Sequence, residues 1–149
     1  MPVKIGLDTS FIIGLLDDRD IWHKPALELQ DAFQAIGAQP YVFDCVISEV
    51  ISTLARRIHE RRRHVDLPGL LNQIRSQFPA KSLTWLYPDL PNLYDEVVNL
   101  VEQSAGELNF NDALIALSCQ NRSISLLASF DADFDRVSGL KRIGRPDAI

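Results

Sequence analysis

Cysteine is nearly missing from this sequence: Cys45 and Cys119 are the only two among 149 residues. They lie far apart, and neither belongs to a Cys-x-x-Cys pair. A cysteine zinc site and a disulfide framework therefore find no support, and two small, buried, reduced side chains are expected. No apolar stretch approaches the roughly 18 uncharged residues that a membrane span needs. The start, Met1-Pro2-Val3-Lys4, lacks the apolar core of a secretory signal, so a cytoplasmic protein is expected. The Gly-x-x-x-x-Gly-Lys loop of nucleotide-binding folds and the Gly-x-Ser-x-Gly turn of serine hydrolases are both missing. An aspartyl-phosphate phosphatase would need a second Asp two residues after Asp8, where Ser10 stands. His23, His59 and His64 form no His-x-x-x-His pair and are read as surface residues. There is no repeat, no low-complexity segment and no linker, and the length suits one domain spanning residues 1–149.

A hydrophobic fraction of 46% and a charged fraction of 23% belong to an ordinary soluble chain. The net charge of -5 argues weakly against non-specific binding to nucleic acid. Position matters more than the total. Acids gather at Asp17, Asp18 and Asp20, and again at Asp131, Asp133 and Asp135. Bases gather at Arg56, Arg57, Arg61, Arg62 and Arg63. This separation points to one acidic pocket and one basic surface.

Hydrophobic periodicity alternates between two patterns. Val3, Ile5 and Leu7 alternate with Lys4 and Gly6 as a first strand, followed by a short helix over 11–16. Trp22, Ala26, Leu29, Ala32 and Phe33 recur every three or four residues, which predicts a helix over about 21–36 with these side chains on its inner face. Tyr41-Val42-Phe43 reads as a buried strand. Asp44 is placed to cap the next helix, whose stripe is Val46, Ile47, Val50, Ile51, Leu54 and Ile58. Helices are expected from Pro68 to Phe78, from Leu90 to about Ala105, and from Asn111 onward, the last deeply buried. Short strands are expected at 83–86, 125–128 and 140–143. The segment between Pro79 and Pro91 is rich in proline and has no clear assignment beyond its strand. Strands alternating with helices imply an α/β fold: a mostly parallel sheet of four to five strands, covered on both faces.

In open parallel sheets, ligands bind beyond the carboxyl ends of the strands. Asp8 follows the first strand and Asp131 follows the strand near Leu127. Asp112 sits at a helix start and Glu49 one turn into its helix, both near the same edge. Four carboxylates from four distant segments therefore converge. Bare carboxylates so close repel one another and take up protons. A hard divalent ion such as Mg²⁺ removes that conflict, and it serves phosphodiester hydrolysis by polarising a phosphoryl oxygen and lowering the pKa of water. Taken singly, each acid has a bland reading: turn former, helix cap or solvated helix residue.

The motifs carrying these acids resemble those of PIN domains, in order and over nearly the whole chain. Ile5-Gly6-Leu7-Asp8-Thr9-Ser10-Phe11-Ile12-Ile13 is similar to the family's opening Asp-Thr-Ser motif, and Ile47-Ser48-Glu49-Val50 to its helical Ser-Glu motif. Asn111-Asp112-Ala113-Leu114-Ile115-Ala116 is similar to the third. Leu127-Ala128-Ser129-Phe130-Asp131-Ala132-Asp133-Phe134 is similar to the last. The resemblance implies an α/β/α sandwich and a Mg²⁺- or Mn²⁺-dependent endoribonuclease. It implies metal ligation by Asp8, Glu49, Asp112 and Asp131, with Asp133 as a fifth acid and Thr9 and Ser129 as supporting hydrogen-bond partners. The chain also resembles the small VapC-type toxins of this family, which implies an RNA substrate, a small antitoxin partner and a homodimer, its interface near Trp22 and Leu54. An RNA-processing nuclease without an antitoxin and an inactive PIN-like binding module are the alternatives. The arginine patch admits three readings: a solvated face complementing the helix dipole, phosphate contact with RNA, or antitoxin contact. Trp22, Trp85, Tyr41 and Tyr87 are expected in the core or at an interface rather than as base-stacking platforms.

Overall fold

The computed structural model describes residues 1–149. Four short strands form one parallel sheet: β1 (Lys4–Leu7), β2 (Gln39–Tyr41), β3 (Leu126–Ala128) and β4 (Lys141–Ile143), in the order β2-β1-β3-β4. Six helices accompany them: α1 (Thr9–Leu16), α2 (His23–Ala35), α3 (Asp44–Glu60), α4 (Leu67–Gln77), α5 (Leu90–Gln103) and α6 (Phe110–Asn121).

β1 shows why both sheet faces are covered. Side chains alternate along a strand. Ile5 and Leu7 face a cleft walled by Phe11 and Leu15 of α1 and Phe33 of α2. Gly6 faces the other way, toward Cys119 of α6. A Cβ at Gly6 would lie 3.1 Å from Cys119 Sγ and 3.1 Å from Leu127 Cδ1, so a side chain there would force these neighbours back by a few tenths of an ångström. That helix is buried without interruption from Ala113 to Cys119, as its composition foretold. Cys45 and Cys119 are free and buried, and burial pushes both thiols up to about 12, which leaves them unreactive near neutrality.

Several expected boundaries shift, each for a local reason. The edge strand is Gln39–Tyr41 rather than 41–43. It contains Pro40, a residue that sheets accept at an edge. α2 begins at His23, because the Asp20 carboxylate accepts the Trp22 N–H at 2.9 Å and holds the preceding turn outside the helix. Trp22 is accordingly 40% exposed instead of facing the core, and Trp85 and Tyr87 are exposed too. The expected strand at 83–86 reduces to one bridge, Thr84 to Phe43, since 3₁₀ turns at Ala80–Ser82 and Tyr87–Asp89 confine it. Leu54 is buried inside α3 and is not available to a dimer interface.

Asp44 is the first residue of α3, not its cap. Its buried carboxylate accepts three backbone N–H groups: Cys45 at 3.0 Å, Leu86 at 2.9 Å and Tyr87 at 2.9 Å. It thereby fastens the proline-rich segment to the start of α3. Asp44→Ala is expected to lower unfolding free energy by roughly 2–4 kcal/mol, because buried donors lose a charged acceptor. Urea denaturation measures this, and a loss below about 0.5 kcal/mol would contradict it.

Candidate active site

The strand order reverses at β1 and β3: from β1 the chain crosses to β2 on one side, and later to β3 on the other. Loops leaving the carboxyl ends of these two strands diverge and open a crevice, the usual ligand position in such sheets. Asp8 leaves β1 and Asp131 lies three residues past β3. Between them opens a cleft of about 410 Å³, and Asp8, Glu49, Asp112 and Asp131 all line it. The four acids named from the motifs thus share one pocket, although α3 and α6 supply two of them.

Their local bonding separates them from ordinary turn and cap residues. Asp8 occupies the N-cap position of α1, yet its side chain makes no cap bond. Instead Oδ2 accepts the Ser129 hydroxyl at 2.6 Å and the Ser10 hydroxyl at 3.1 Å. Asp112 is not the cap of α6 either. Asn109 is, its Oδ1 accepting the Asp112 N–H at 2.8 Å, which leaves the Asp112 carboxylate free in the first turn. Glu49 accepts a hydrogen bond from the Asn111 side-chain amide. Asp131 does cap its following turn, Oδ1 accepting the Asp133 N–H at 2.9 Å.

The electrostatics follow from this crowding. Burial, then the charges of Asp8, Asp131 and Glu49, push the Asp112 carboxyl up to about 7. Burial also raises Asp8, against the lowering effect of its serine donors, and Asp131 adds to the rise. Arg57 is the one cation lining the pocket, and it is engaged by Asp17 at 2.8 Å and Asp20 at 2.9 Å. The four acids face one another without a free base.

Ser129 is fully buried and works in two directions, donating to Asp8 and accepting the Asp131 N–H at 3.0 Å. Ser129→Ala is expected to cut activity about 10- to 100-fold through misplaced carboxylates, with the fold retained. Steady-state kinetics on a common substrate would detect it, and unchanged kcat/KM would refute it. Thr9 lines the pocket, but its buried hydroxyl has no hydrogen-bond partner. Ser10 makes the contacts that its neighbour was expected to make. Asp133 is exposed and outside the pocket, because the turn that Asp131 caps directs it away. Ser10, Asn109, Asn111 and Asp20 were not singled out from sequence as site residues, and Arg57 was named only as a base for phosphate contact. The first three stand within two or three residues of a motif acid, which was the available signal.

Four of the five arginines stand within ion-pair distance of an acid. Arg57 pairs with Asp17 and Asp20, Arg61 with Asp17, Arg63 with Asp66 and Arg56 with Glu60. Only Arg62 of the five has no ion pair. The Asp17–Asp20 cluster and this helix end neutralise each other in space, a relation that sequence distance conceals.

The donor set suits a hard divalent cation: all four groups supply carboxylate oxygens. The crowding at Asp112 and the orphaned Thr9 hydroxyl both suit a polar or cationic guest. The carboxylates do not close into a shell, and no three acidic, histidine or cysteine side chains are set to grip one ion directly. An ion such as Mg²⁺ keeps several waters and binds through one or two carboxylates, and so asks for no closed shell.

Comparison with known proteins identifies the family. A curated protein from Methanocaldococcus jannaschii, named ribonuclease VapC6, is 23% identical over 150 residues, covering 95% of this chain and 97% of its own length. No helix here is long and apolar enough to cross a membrane. The family described as PIN domain matches residues 5–140, a span that holds all four carboxylates and the sheet edge presenting them, and the chain belongs to that family.

Proposed function

We propose that this chain is a divalent-metal-dependent endoribonuclease that hydrolyses RNA phosphodiester bonds, and that it serves as the toxin of a pair whose partner is a small antitoxin. The reading is carried by one observation: four carboxylates from distant segments line a single pocket at the switch point of the sheet, with no free base among them. The name of the M. jannaschii relative, and a shared length along almost all of both chains, support the ribonuclease part. The toxin and antitoxin roles, a cytoplasmic location and a homodimer rest on the likeness to small VapC-type proteins.

Asp8, Glu49, Asp112 and Asp131 would hold the ion, directly or through water. When bound, it would polarise the phosphoryl oxygen and lower the pKa of water. The protein's own part is orientation. Ser10 and Ser129 fix Oδ2 of Asp8, Asn111 fixes Oε1 of Glu49, and Asn109 sets the backbone before Asp112. The likeness to the family implies no serine or histidine nucleophile, and the Ser10 and Ser129 hydroxyls serve here as donors that position Asp8.

Purified protein is expected to cut RNA internally with Mg²⁺ or Mn²⁺ and to stop when EDTA is added. Intact RNA under all these conditions would overturn the nuclease. Induced expression is expected to arrest growth, and co-expression of a short reading frame immediately upstream to relieve it. RNA cleavage without growth arrest would instead place the chain in RNA processing.

A further inference from the structure

Two apolar side chains stand at the mouth of the acid pocket. Ile21 is 83% exposed and Trp22 is 40% exposed, and both line the same cleft as Asp8, Glu49 and Asp112. Single exposed apolar residues need no explanation. Two adjacent ones bordering a carboxylate site, the tryptophan fixed there by its neighbours, do.

The rigidity is built from several contacts. Asp20 accepts the Trp22 N–H and also the Arg57 guanidinium, while Arg57 reaches Asp17 on the other side of the turn. The Trp22 ring lies parallel to Phe130, at 5° and 4.7 Å between centroids. The Phe130 N–H donates to the Ser10 hydroxyl at 3.0 Å, and Ser10 donates to Asp8. The indole is thus indexed to the first carboxylate through a short chain of bonds. An aromatic surface already fixed in place loses little conformational entropy when a ligand stacks on it.

We propose that Trp22, flanked by Ile21, is a stacking platform for an unpaired base of the RNA strand whose phosphate lies at the carboxylates. This rests on the nuclease reading and adds a residue that positions the strand beside the carboxylates. The shared pocket favours a nucleotide over a protein segment. A strand with its phosphate among the acids must carry its neighbouring nucleotides across the pocket mouth. A base in a duplex already has both faces stacked and cannot offer one to the platform, whereas an unpaired base can. Base–aromatic stacking is also indifferent to sequence, so the platform selects for strandedness rather than for a particular base.

The test compares wild type, Trp22→Ala and Trp22→Phe on ten-nucleotide single-stranded RNAs, one series intact and one carrying a single abasic position moved along the strand. Circular dichroism and size-exclusion chromatography accompany the kinetics. Trp22→Ala is expected to lower kcat/KM on intact RNA roughly 5- to 100-fold, mainly through KM, and Trp22→Phe to keep most of it. One abasic position is expected to reduce wild type to the level of Trp22→Ala while costing that variant nothing more. Equal kcat/KM for wild type and Trp22→Ala removes the platform and leaves the nuclease standing. Losses that simply multiply assign Trp22 a structural role and overturn the proposal. A wild-type dimer that dissociates in Trp22→Ala, with unaltered abasic sensitivity, assigns the surface to a protein contact instead. A wild type that cleaves none of the RNAs, nor longer cellular RNA, removes the nuclease and the platform together.

Discussion

Asp8→Asn is expected to abolish RNA cleavage by well over about 100-fold and to leave the metal-free protein at least as stable as its parent. The two halves have one origin. Asp8 is almost fully buried, at 4% exposure, and burial raises its carboxyl pKa against the pull of its two serine donors. A negative charge there opposes the metal-free fold. Asn keeps the shape and can still accept the Ser129 and Ser10 hydroxyls, but it removes the charge. Loss of a residue that merely orients a ligand lowers metal affinity or activity about 10- to 100-fold, so loss of a charged ligand should exceed that range. Parallel cleavage assays and thermal melts in EDTA give both readings. Cleavage within about threefold of wild type would remove Asp8 from the site. A melting temperature lowered by several degrees would show that its charge supports the fold instead of opposing it.

The contrast between Asp8 and Asp44 shows what sequence patterns can and cannot resolve. Both are buried aspartates beside a helix start. Position alone fits either as a cap. Asp44 is satisfied by backbone N–H groups from a segment forty residues away, and it belongs to structure. Asp8 is held chiefly by the Ser129 and Ser10 hydroxyls and shares its pocket with three other motif acids. The motifs around Asp8, Glu49, Asp112 and Asp131 made the site legible, because each combines a chemically committed residue with a fixed local frame. The alternation of strands and helices gave the parallel sheet for a similar reason: periodicity is a local property.

What stayed hidden depends on contacts between distant segments. Arg57 looked like part of a basic patch until the turn at Asp17–Asp20 was seen to fold against it, 37 to 40 residues away in sequence. Trp22 matched the inner stripe of a helix by spacing, but Asp20 ended that helix one residue short. Ser10 and Asn111 were quoted within motifs, yet their hydrogen bonds to Asp8 and Glu49 are properties of the folded pocket. Asp133 shows the reverse error: the Asp-x-Asp spacing invites a shared ion, whereas the turn capped by Asp131 carries the second acid outward.

Without divalent cations, Asp112 is expected to make the protein less stable as pH rises from about 4 to 8, and Mn²⁺ to restore that stability. Its carboxyl stands at about 7 in the fold, through burial and then the charges of Asp8, Asp131 and Glu49, compared with about 3.9 when unfolded. A pKa raised by folding means that the protonated form favours the native state. That contribution is complete below the unfolded value and is lost as pH climbs through the folded one. Asp112→Asn mimics the protonated carboxyl at every pH. The two proteins should therefore melt together near pH 4, with the variant several degrees higher by pH 8. A divalent ion that binds the native wild type at about 100 times its Kd adds about 2.7 kcal/mol, roughly 5–10 °C for a chain of this size, and should narrow the gap. The melts need only buffer, EDTA and Mn²⁺, and no RNA. A gap that stays constant from pH 4 to pH 8 would mean that folding does not raise the Asp112 carboxyl. An equal Mn²⁺ shift in both proteins would mean that the ion binds elsewhere on the surface.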